Sequence, residues 1–261
     1  MDISGSCAIV TGGESGIGRA CAEALGRAGA NVTLTYFKDA PAAQEVVAAI
    51  ASAGARAQAV QTDVSDEAQV EALFTAAEQA FGPARLLVNS AGLNMSGNYI
   101  KDMTLAQFDR VIRADLYGPF LTCRRFVRGL DGKDGAKNKG GRIVNLSSIH
   151  ERAPRPGGVE YDSAKGGLAQ LTATLALELA PQHIAVNGVA PGMILTPMNA
   201  SAMADPAELA RKAAAIPWGR AGTAAEVADL VVYLLSPMAD YITGTTVTID
   251  GALSLVIAQG A

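Results

Sequence analysis

Short runs of apolar and β-branched residues alternate along the chain with longer segments in which apolar residues recur every three or four positions. The short runs predict seven strands, over Cys7–Val10, Asn31–Tyr36, Arg56–Gln61, Arg85–Asn89, Arg142–Leu146, His183–Val189 and Thr246–Ile249. The longer segments predict helices over Gly16–Ala28, Pro41–Ala53, Asp66–Phe81, Leu105–Leu130, Tyr161–Leu179 and Ala224–Leu235. This alternation indicates an α/β protein, with a doubly wound parallel sheet and helices on both faces.

The segment from Pro191 to Pro217 interrupts the alternation before the last helix and strand. Ligands of open α/β sheets bind beyond the carboxyl ends of the strands, and a long segment that leaves such an end is a candidate lid. No internal repeat or second hydrophobic core divides the chain. We therefore expect residues 1–261 to form a single domain, in which residues 191–217 act as a lid or loop at a substrate site.

Composition narrows the classes of function. With 261 residues, of which 49% are hydrophobic and 18% charged, the chain is long enough to bury the core of one α/β domain. Its 21 basic and 25 acidic residues give a net charge of −4, which does not favour nucleic acid as a partner. No apolar run approaches the roughly 20 residues of a membrane-spanning helix, and no leader sequence is recognisable. We expect a cytoplasmic protein that does not bind membranes.

The cysteines and histidines are few and scattered. Three widely spaced cysteines are typical of reduced thiols rather than of a disulfide framework. Neither these cysteines nor the two histidines form a cluster with the spacing of metal ligands. We expect no bound metal.

A glycine-rich turn, TGGESGIG at residues 11–18, follows the first predicted strand. Gly12, Gly16 and Gly18 permit a tight turn and a close approach of a ligand to the backbone. Ser15 and Ile17 lie at the start of the next helix, where free amide groups favour a pyrophosphate. The spacing differs from the common GxGxxG fingerprint, so the turn alone leaves both cofactor binding and a purely structural role open.

Ser148, Tyr161 and Lys165 form a second candidate site. Tyr161 and Lys165 are four positions apart in a predicted helix and therefore share one face. A phenol holds its proton at neutral pH, and a nearby ammonium group stabilises the phenolate that a proton acceptor requires. Ser148 would hydrogen-bond a substrate oxygen and hold it for proton transfer. A YxxxK pair by itself is also common on helix surfaces.

Several motifs stand in one order along the chain: the glycine-rich turn, Asp63-Val64, Asn89-Ser90-Ala91-Gly92, the Ser148 segment with YxxxK, and Pro191-Gly192. From Ile9 to Gly251 this order resembles the short-chain dehydrogenase/reductase family. The resemblance implies a Rossmann-type sheet of seven strands and hydride transfer to or from a nicotinamide cofactor. It also implies that Tyr161 is the acid/base, that Lys165 supports its ionisation and binds ribose, and that Ser148 orients the substrate.

The same resemblance implies further cofactor contacts. Asp63 and Val64 would flank the adenine, and Asn89 would lie beside the adenosine ribose. Ile194 and Thr196 would bind the nicotinamide amide. The motif residues Ala91, Gly92, Pro191 and Gly192 complete this predicted set. Family members are commonly tetrameric, so a homotetramer is expected.

One position departs from the family pattern. The family usually has Asn on the helix before the fifth strand, where it completes a catalytic tetrad by holding a water of a proton relay. In residues 111–120 of this chain, Asp115 stands in its place. Asp115 still accepts a hydrogen bond but adds an ionisable group to the relay. We therefore expect retained activity with an altered pH profile.

The choice between NAD and NADP depends on the end of the second predicted strand, about 20 residues beyond the glycines. An acidic side chain there would bind the ribose hydroxyls and repel a 2′-phosphate, but Tyr36 occupies this position and Lys38 is close by. Glu14 and Ser15 stand in the turn where NADP-preferring members often have a basic residue. Asp39 precedes an Ala-Pro pair and is expected to cap a helix. These opposing signals predict use of both NAD and NADP.

A narrower resemblance concerns the substrate. The segment Ser147–Glu151, the prolines at 154 and 156, residues 196–200 and the Gln259-Gly260 end resemble the glucose 1-dehydrogenase branch of the family, which oxidises an aldose at its anomeric carbon. His150 would hydrogen-bond a sugar hydroxyl, or else only its own loop backbone. Arg155 stands in a segment that is bulky and apolar in that branch, and Asn94 replaces an acidic residue. These three residues are the candidate substrate contacts, and a different sugar or polyol remains open.

Three functions are compatible with the sequence. The first is an NAD(P)-dependent dehydrogenase of a sugar or polyol, and the second is a ketone or 3-oxoacyl reductase of the same fold. The third is a cofactor-binding sensor without catalysis, which Asp115 suggests and the intact Ser148, Tyr161 and Lys165 oppose. One fold hosts all three, so the side chains that line the pocket must discriminate among them.

Overall fold

The computed structural model describes residues 2–130, 140–196 and 205–258. Seven parallel strands form one sheet: β1 Cys7–Thr11, β2 Asn31–Tyr36, β3 Ala57–Gln61, β4 Ala84–Asn89, β5 Gly141–Leu146, β6 Ile184–Pro191 and β9 Thr246–Ile249. Their order across the sheet is β3-β2-β1-β4-β5-β6-β9. Two short strands, β7 Ile194–Leu195 and β8 Gly222–Thr223, pair with each other outside this sheet.

Helices connect the strands. Within the described residues they are α1 Gly16–Arg27, α2 Ala40–Ser52, α3 Glu67–Phe81, α4 Leu105–Ile112, α5 Gly118–Leu130, α6 Val159–Leu179, α7 Pro206–Ala214 and α8 Ala224–Leu235. The helix predicted from Tyr161 thus begins at Val159, two positions earlier.

The inner strand β1 shows how helices come to cover both faces of the sheet. Ala8 and Val10 pack into a core with α1, α2 and α8, whereas Cys7 and Ile9 pack into a second core with α3, α5 and α6. Side chains alternate between the two faces of a strand, so consecutive residues of β1 serve opposite cores. The predicted doubly wound, Rossmann-type parallel sheet is confirmed.

The strand order creates a crevice between β1 and β4. From β1 the chain proceeds to β2 on one side, and from β4 to β5 on the other, so the connections diverge at the carboxyl ends of these neighbours. Thr11 and Asn89 end the two strands side by side. The Thr11 hydroxyl accepts hydrogen bonds from the N–H groups of Ser90 and Ala91, both at 3.0 Å, and thereby fixes the edge of the crevice.

The predicted helix Leu105–Leu130 is interrupted. α4 ends at Ile112, a π-helical turn covers Arg113–Tyr117, and α5 begins at Gly118. A π-helical turn inserts an extra residue into the helical repeat and changes the direction of the side chains that follow. It places Asp115 in a buried position, and the apolar periodicity of the sequence did not reveal it.

Part of the predicted lid is helical. α7 begins after Asp205, whose carboxylate accepts hydrogen bonds from the N–H groups of Ala207 and Glu208 at 2.9 and 3.2 Å. The sequence analysis predicted no helix between Pro191 and Pro217, so this helix is a correction. Residues 197–204 of the lid lie outside the described residues, as do residues 131–139 and 259–261.

In the described part of the chain we find neither a membrane-spanning helix nor a reactive thiol. None of the helices in the described ranges is long and apolar enough to cross a membrane. Cys7, Cys21 and Cys123 are free and buried. Burial raises the pKa of each thiol to about 12, so all three stay protonated near neutral pH.

Candidate active site

A cleft of about 580 Å³ lies at the carboxyl ends of β1, β4, β5 and β6, over the crevice of the sheet. Its wall contains many of the residues that the sequence singles out: Gly12, Ser15, Gly16, Ile17, Gly18, Asp63, Val64, Ala91, Gly92, Asp115, Ser148, Tyr161, Lys165, Pro191, Gly192, Ile194 and Thr196. The glycine-rich turn and the Ser148, Tyr161 and Lys165 set thus share one cavity.

The glycine-rich turn is packed too closely for side chains. Gly12 has a φ of +62°, and a Cβ there would lie 2.8 Å from the Cα of Ala91. A Cβ on Gly18 would lie 2.0 Å from the carbonyl oxygen of Gly12. The Ser15 side chain makes no capping hydrogen bond, so it does not compete for the amide groups at the start of α1. This arrangement fits the pyrophosphate of a dinucleotide.

Tyr161 and Lys165 lie on the face of α6 that borders the cleft. The Nζ atom of Lys165 is 5.4 Å from the centroid of the Tyr161 ring. It donates a hydrogen bond to the carbonyl oxygen of Leu146 at 3.0 Å, at the end of β5. Both side chains are buried, with 8% of Tyr161 and 5% of Lys165 exposed. The ammonium group is therefore held at a fixed place beside the phenol.

Asp115 lies directly against the lysine. Its Oδ2 atom is 3.1 Å from Nζ of Lys165, and its Oδ1 atom accepts a hydrogen bond from the N–H of Leu93 at 2.7 Å. A Cβ on Gly92 would lie 2.7 Å from Oδ2, so the glycine leaves the room that the carboxylate occupies. The carboxylate and the lysine form a buried ion pair.

Burial and neighbouring charges shift the pKa values of Asp115 and Lys165. Burial raises the pKa of Asp115, and the Lys165 charge and the Leu93 hydrogen bond offset this only in part. Burial acts to lower the pKa of Lys165, but the negative charges of Asp115, of an ionised Tyr161 and of Glu151, with the Asp115 hydrogen bond, together outweigh it, so the pKa lies above its ordinary value. Lys165 therefore stays an ammonium group throughout the neutral range.

A short 3-10 helical turn, Ile149–Glu151, follows β5; His150 lies in it and Ser148 directly precedes it. The Ser148 hydroxyl accepts a hydrogen bond from the N–H of His150 at 3.2 Å. The Nδ1 atom of His150 is 2.8 Å from the carbonyl oxygen of Ala153, which can only accept, so Nδ1 carries the proton. The His150 ring meets the Tyr161 ring edge to face, with centroids 6.2 Å apart. His150 is therefore beside the phenol, although it is not part of the cleft wall formed by the described residues.

Asn89 is placed differently from the sequence expectation. Its side chain is buried, where Nδ2 donates to Oδ1 of Asn145 at 2.8 Å and Oδ1 accepts from the Thr122 hydroxyl at 2.6 Å. These partners on β5 and α5 occupy its polar atoms. Asn89 joins β4 to its neighbours, and its side chain is not part of the cleft wall that the described residues form.

At the end of β2, the two residues predicted to select the cofactor, Tyr36 and Lys38, are not part of the cleft wall that the described residues form. Tyr36 packs against the core beneath α1 and α2, while its neighbours Thr35 and Phe37 line the cleft. The Nζ atom of the exposed Lys38 lies 5.3 Å from the centroid of the Phe37 ring, outside the cleft wall of the described residues. Asp39 accepts a hydrogen bond from the N–H of Ala42 at 3.0 Å, which confirms its predicted role as a helix cap.

Glu14 lines the cleft, and the sequence did not predict where its carboxylate would lie. Its Oε1 atom is 3.4 Å from the N–H of Phe37, just past the end of β2, and its Oε2 atom is buried with no hydrogen-bond partner among the described residues. A carboxylate therefore does lie near the end of β2, although it comes from the glycine-rich turn.

Arg155 and Asn94 lie in two loops that meet beside Tyr161. Nη2 of Arg155 donates a hydrogen bond to the Ser96 hydroxyl at 2.9 Å, and its backbone N–H donates to Oδ2 of Asp162 at 2.9 Å. The Oδ1 atom of Asn94 accepts from the Ser96 N–H at 3.0 Å. Both predicted substrate residues thus bond to protein groups and stand outside the cleft wall of the described residues.

One side of the cleft was not predicted. A single face of α4 and the following turn borders it through Ala106, Asp109, Arg110, Arg113 and Ala114. Their spacing is that of one helix face, but polar residues at this spacing are typical of a solvated surface. The sequence therefore does not distinguish a helix face that borders a cleft from one that faces solvent.

Comparison with known proteins assigns the chain to a family. A family model described as enoyl-(acyl carrier protein) reductase matches residues 12–254. The 3beta-hydroxysteroid dehydrogenase 1 of Eggerthella lenta is 41% identical over 255 residues, which cover 97% of this chain and 95% of that protein. The chain belongs to the short-chain dehydrogenase/reductase family.

Two further similarities concern this short-chain dehydrogenase/reductase. The glucose 1-dehydrogenase 2 of Bacillus subtilis is 36% identical over 258 residues, which cover 99% of this chain and 98% of that protein. The crystal structure of a 3-ketoacyl-(acyl-carrier-protein) reductase from Brucella melitensis complexed with NADH superposes with a TM-score of 0.87, at 32% identity and over 96% of this chain and 99% of that one.

The family membership settles the class of reaction. As a short-chain dehydrogenase/reductase, the protein is an oxidoreductase that acts on CH–OH groups of small molecules with a nicotinamide cofactor. The names of the three relatives differ in substrate, so their similarity does not select one.

Proposed function

We propose that this protein is an NAD(P)-dependent dehydrogenase of a sugar or polyol hydroxyl, with Tyr161 as the acid/base. The observation that carries this proposal is the convergence of Ser148, Tyr161 and Lys165 with the glycine-rich turn in one cleft. A proton acceptor beside a phosphate cradle is what oxidation of a hydroxyl group by a dinucleotide requires. The same convergence weighs against a sensor without catalysis.

The proposed roles follow from the positions of the side chains. A bound nicotinamide supplies the acceptor for the hydride. Tyr161, as the phenolate, takes the proton of the substrate hydroxyl, and Ser148 hydrogen-bonds the substrate oxygen. Lys165 stabilises the phenolate and is itself kept protonated by Asp115, 3.1 Å away. Each step uses a group in the cleft wall.

We expect both NAD and NADP to bind. The amide groups at the start of α1 would hold the pyrophosphate, Asp63 and Val64 the adenine, and Ile194 and Thr196 the nicotinamide amide. Near the ribose, the carboxylate of Glu14 disfavours a 2′-phosphate. The exposed Lys38 favours a 2′-phosphate but is screened by solvent.

Two observations support a sugar or polyol substrate. One is the similarity to the glucose 1-dehydrogenase 2 of Bacillus subtilis. The other is His150 beside Tyr161, where its proton on Nδ1 leaves Nε2 free to accept a hydrogen bond from a substrate hydroxyl.

A ketone or 3-oxoacyl reductase is the second candidate. Leu93 and Ile194 give the cleft wall apolar surface, on which a ring or an acyl chain would pack. The names of the Eggerthella lenta and Brucella melitensis proteins point in the same direction.

We further propose that the chain forms a single domain in the cytoplasm and that residues 191–217 act as a lid over the substrate site.

We also propose that the protein is a homotetramer. Large apolar side chains are exposed on three helices: Leu105 on α4, Phe120 on α5 and Leu177 on α6. Such surfaces are typical of subunit contacts. Sedimentation at four times the chain mass of 26.7 kDa would support the assembly, and a monomer would contradict it.

The deciding experiment is a substrate panel. The purified protein is given NAD or NADP with aldoses and polyols, and the absorbance of the reduced nicotinamide is followed. Turnover of glucose or a related sugar is the expected result. If every sugar is inert while a ketone or 3-oxoacyl substrate consumes NADPH, the second candidate replaces the first.

A further inference from the structure

Lys165 carries a charge that the protein largely compensates. Its Nζ atom and the Asp115 carboxylate form a buried pair at 3.1 Å, so the field of the ammonium group at Tyr161 is opposed by a neighbouring negative charge. The neutral Asn that is usual at this position of the family has no such effect. An ionised Tyr161 therefore gains less stabilisation from Lys165 than the distance alone suggests.

Arg155 places a second cation beside the same ring. Its Cζ atom lies 5.9 Å from the centroid of the Tyr161 ring. Among the residues that the structure describes, no carboxylate oxygen lies within 4.0 Å of the Arg155 guanidinium, in contrast to Lys165. The charge of Arg155 is thus not compensated by direct contact.

The guanidinium group is held in place. Nη2 donates to the Ser96 hydroxyl in the loop after β4, and Nε is buried without a hydrogen-bond partner in the described part of the chain. The same two loops are joined by a hydrogen bond from the Gly97 N–H to the Gly157 carbonyl oxygen at 2.8 Å. Arg155 is therefore fixed beside Tyr161 and cannot swing freely into solvent.

Among the described residues, an imidazole and several carboxyl groups also lie around Tyr161, and Arg110 and Arg113 border the same cleft from the side of α4. His150 contacts the Tyr161 ring from the turn after β5. Glu151 lies in the same turn, and its negative charge raises the pKa of Lys165. Glu160 precedes Tyr161 in α6 and is completely buried, and Asp162 follows it and accepts the Arg155 backbone N–H. Within the described part of the chain, Arg155 and Lys165 are the cations that contact the Tyr161 ring itself, so Arg155 adds to Lys165 against these carboxyl groups and Asp115.

We propose that Arg155 is a positioning residue for the chemistry of Tyr161, a second cation that stabilises the phenolate because Asp115 compensates the charge of Lys165. This inference deepens the proposed function, since it rests on Tyr161 being the acid/base. It assigns Arg155 a role distinct from the substrate contact that the sequence suggested.

The test compares three variants of the whole protein. Arg155→Gln removes the charge, Arg155→Lys restores it, and Arg27→Gln removes an exposed charge from the last turn of α1, outside the cleft wall of the described residues. Ionisation of Tyr161 is read by ultraviolet difference titration, with the Tyr161→Phe signal subtracted, and the pH profile of kcat is recorded in parallel. Melting temperature and the KM for the substrate are measured for each variant.

In Arg155→Gln we expect the titration midpoint and the acid limb of kcat to move up by about one pH unit, because a tenfold change in the phenolate equilibrium corresponds to about 1.4 kcal/mol. In Arg155→Lys we expect less than half of that shift, and in Arg27→Gln none. A lower melting temperature or a raised KM in Arg155→Gln, with the midpoint unmoved in a folded protein, would overturn the proposal and leave Arg155 a loop brace or a substrate contact.

The titration needs no substrate, so its outcome is separable from the proposed function. If the midpoint shifts while no sugar, polyol, ketone or acyl substrate is turned over, the inference about Arg155 stands and the proposed function fails. If turnover is found and neither the midpoint nor the acid limb moves, the proposed function stands and the inference about Arg155 fails.

Discussion

A carboxylate at position 115 changes the surroundings of the lysine that supports Tyr161. Asp115 and Lys165 are both buried, and their charged atoms are 3.1 Å apart. A buried ion pair is costly to separate, because removal of one partner leaves the other charge without compensation. At the scale of single residues, Asp115 therefore holds Lys165 protonated and at the same time weakens its field at Tyr161.

Replacement of Asp115 tests this balance through pH. Burial raises the pKa of Asp115, and wherever its carboxyl group is ionised beside Lys165 it opposes a phenolate at Tyr161. In Asp115→Asn this negative charge is absent, so we expect retained activity and an acid limb of kcat at lower pH. At pH values low enough to protonate Asp115, the profiles of the two proteins should converge. Identical profiles for wild type and variant, measured as kcat from pH 5 to 10, would count against this role.

Glu14 should set the balance between the two cofactors. Its carboxylate lies beside the N–H of Phe37, just past the end of β2, where we propose that the adenosine ribose binds. In Glu14→Gln we expect the ratio of the Kd values for NADP and NAD to fall by about tenfold, because a like charge is removed from a partly buried site. The matched variant Lys38→Gln removes an exposed charge of opposite sign and should raise that ratio by about twofold. Isothermal titration with each cofactor measures both, and an unchanged ratio in Glu14→Gln would remove it from cofactor selection.

Single residues also show how far a sequence can be interpreted. Tyr161 and Lys165 could be placed together because four helical positions bring two side chains to one face, whatever surrounds them. Asn89 could not be placed, because the direction of its amide depends on Asn145 and Thr122, which come from other elements. The carboxylate of Glu14 was likewise visible in the sequence, but its contact with Phe37 arises only from the pairing of β1 with β2.

At the scale of elements, the start of α1 is the proposed binding site for the pyrophosphate of the cofactor. Its glycines allow the turn to touch the end of β4, and Ser15 leaves the first amide groups of the helix without a side-chain cap. The turn thus fits a pyrophosphate through its backbone, which explains why the motif consists of glycine more than of charged residues.

Addition of one methyl group should damage this element. In Gly18→Ala the new Cβ would lie 2.0 Å from the Gly12 carbonyl oxygen, and backbone must shift to accept it. We expect binding of NAD and NADP to weaken by more than about tenfold and the free energy of unfolding to fall by about 1 to 3 kcal/mol.

Gly166→Ala is the control for that change. The nearest atom to a Cβ on Gly166 in α6 is the Glu151 carbonyl oxygen at 3.8 Å, which is ordinary contact. We expect the free energy of unfolding to rise by up to about 1 kcal/mol, since alanine favours helix more than glycine does. Equal cofactor Kd values for Gly18→Ala and wild type in calorimetric titration would contradict the assignment of the cradle.

Elements were predictable wherever periodicity decides them. The seven strands of the sheet follow from short apolar runs, and their residues pair in register along the whole order. The π-helical turn of residues 113–117 was not predictable, since an apolar pattern continues through it. The helix α7 had a visible start in Asp205 and Pro206, but its few apolar positions concealed it.

At the scale of the molecule, the order of strands explains why distant motifs meet. The glycine-rich turn follows β1, Ala91 and Gly92 follow β4, and Ser148 follows β5. In a parallel sheet these strands end at the same edge, so segments far apart in sequence surround one cleft. The family resemblance predicted that these motifs surround one site. The contacts in the two loops beside Tyr161, such as those of Arg155, became known only from the structure.

The most direct test of the central claim is turnover by Tyr161→Phe. The variant loses only the phenol oxygen, so the cleft and the glycine-rich turn should persist, and we expect the Kd for NAD to stay within about twofold of wild type. Loss of the acid/base should lower kcat by about 10³-fold or more on the best substrate of the panel, a magnitude typical of general acid–base catalysis. A folded variant that binds NAD and retains kcat within about tenfold of wild type would contradict the assignment of Tyr161.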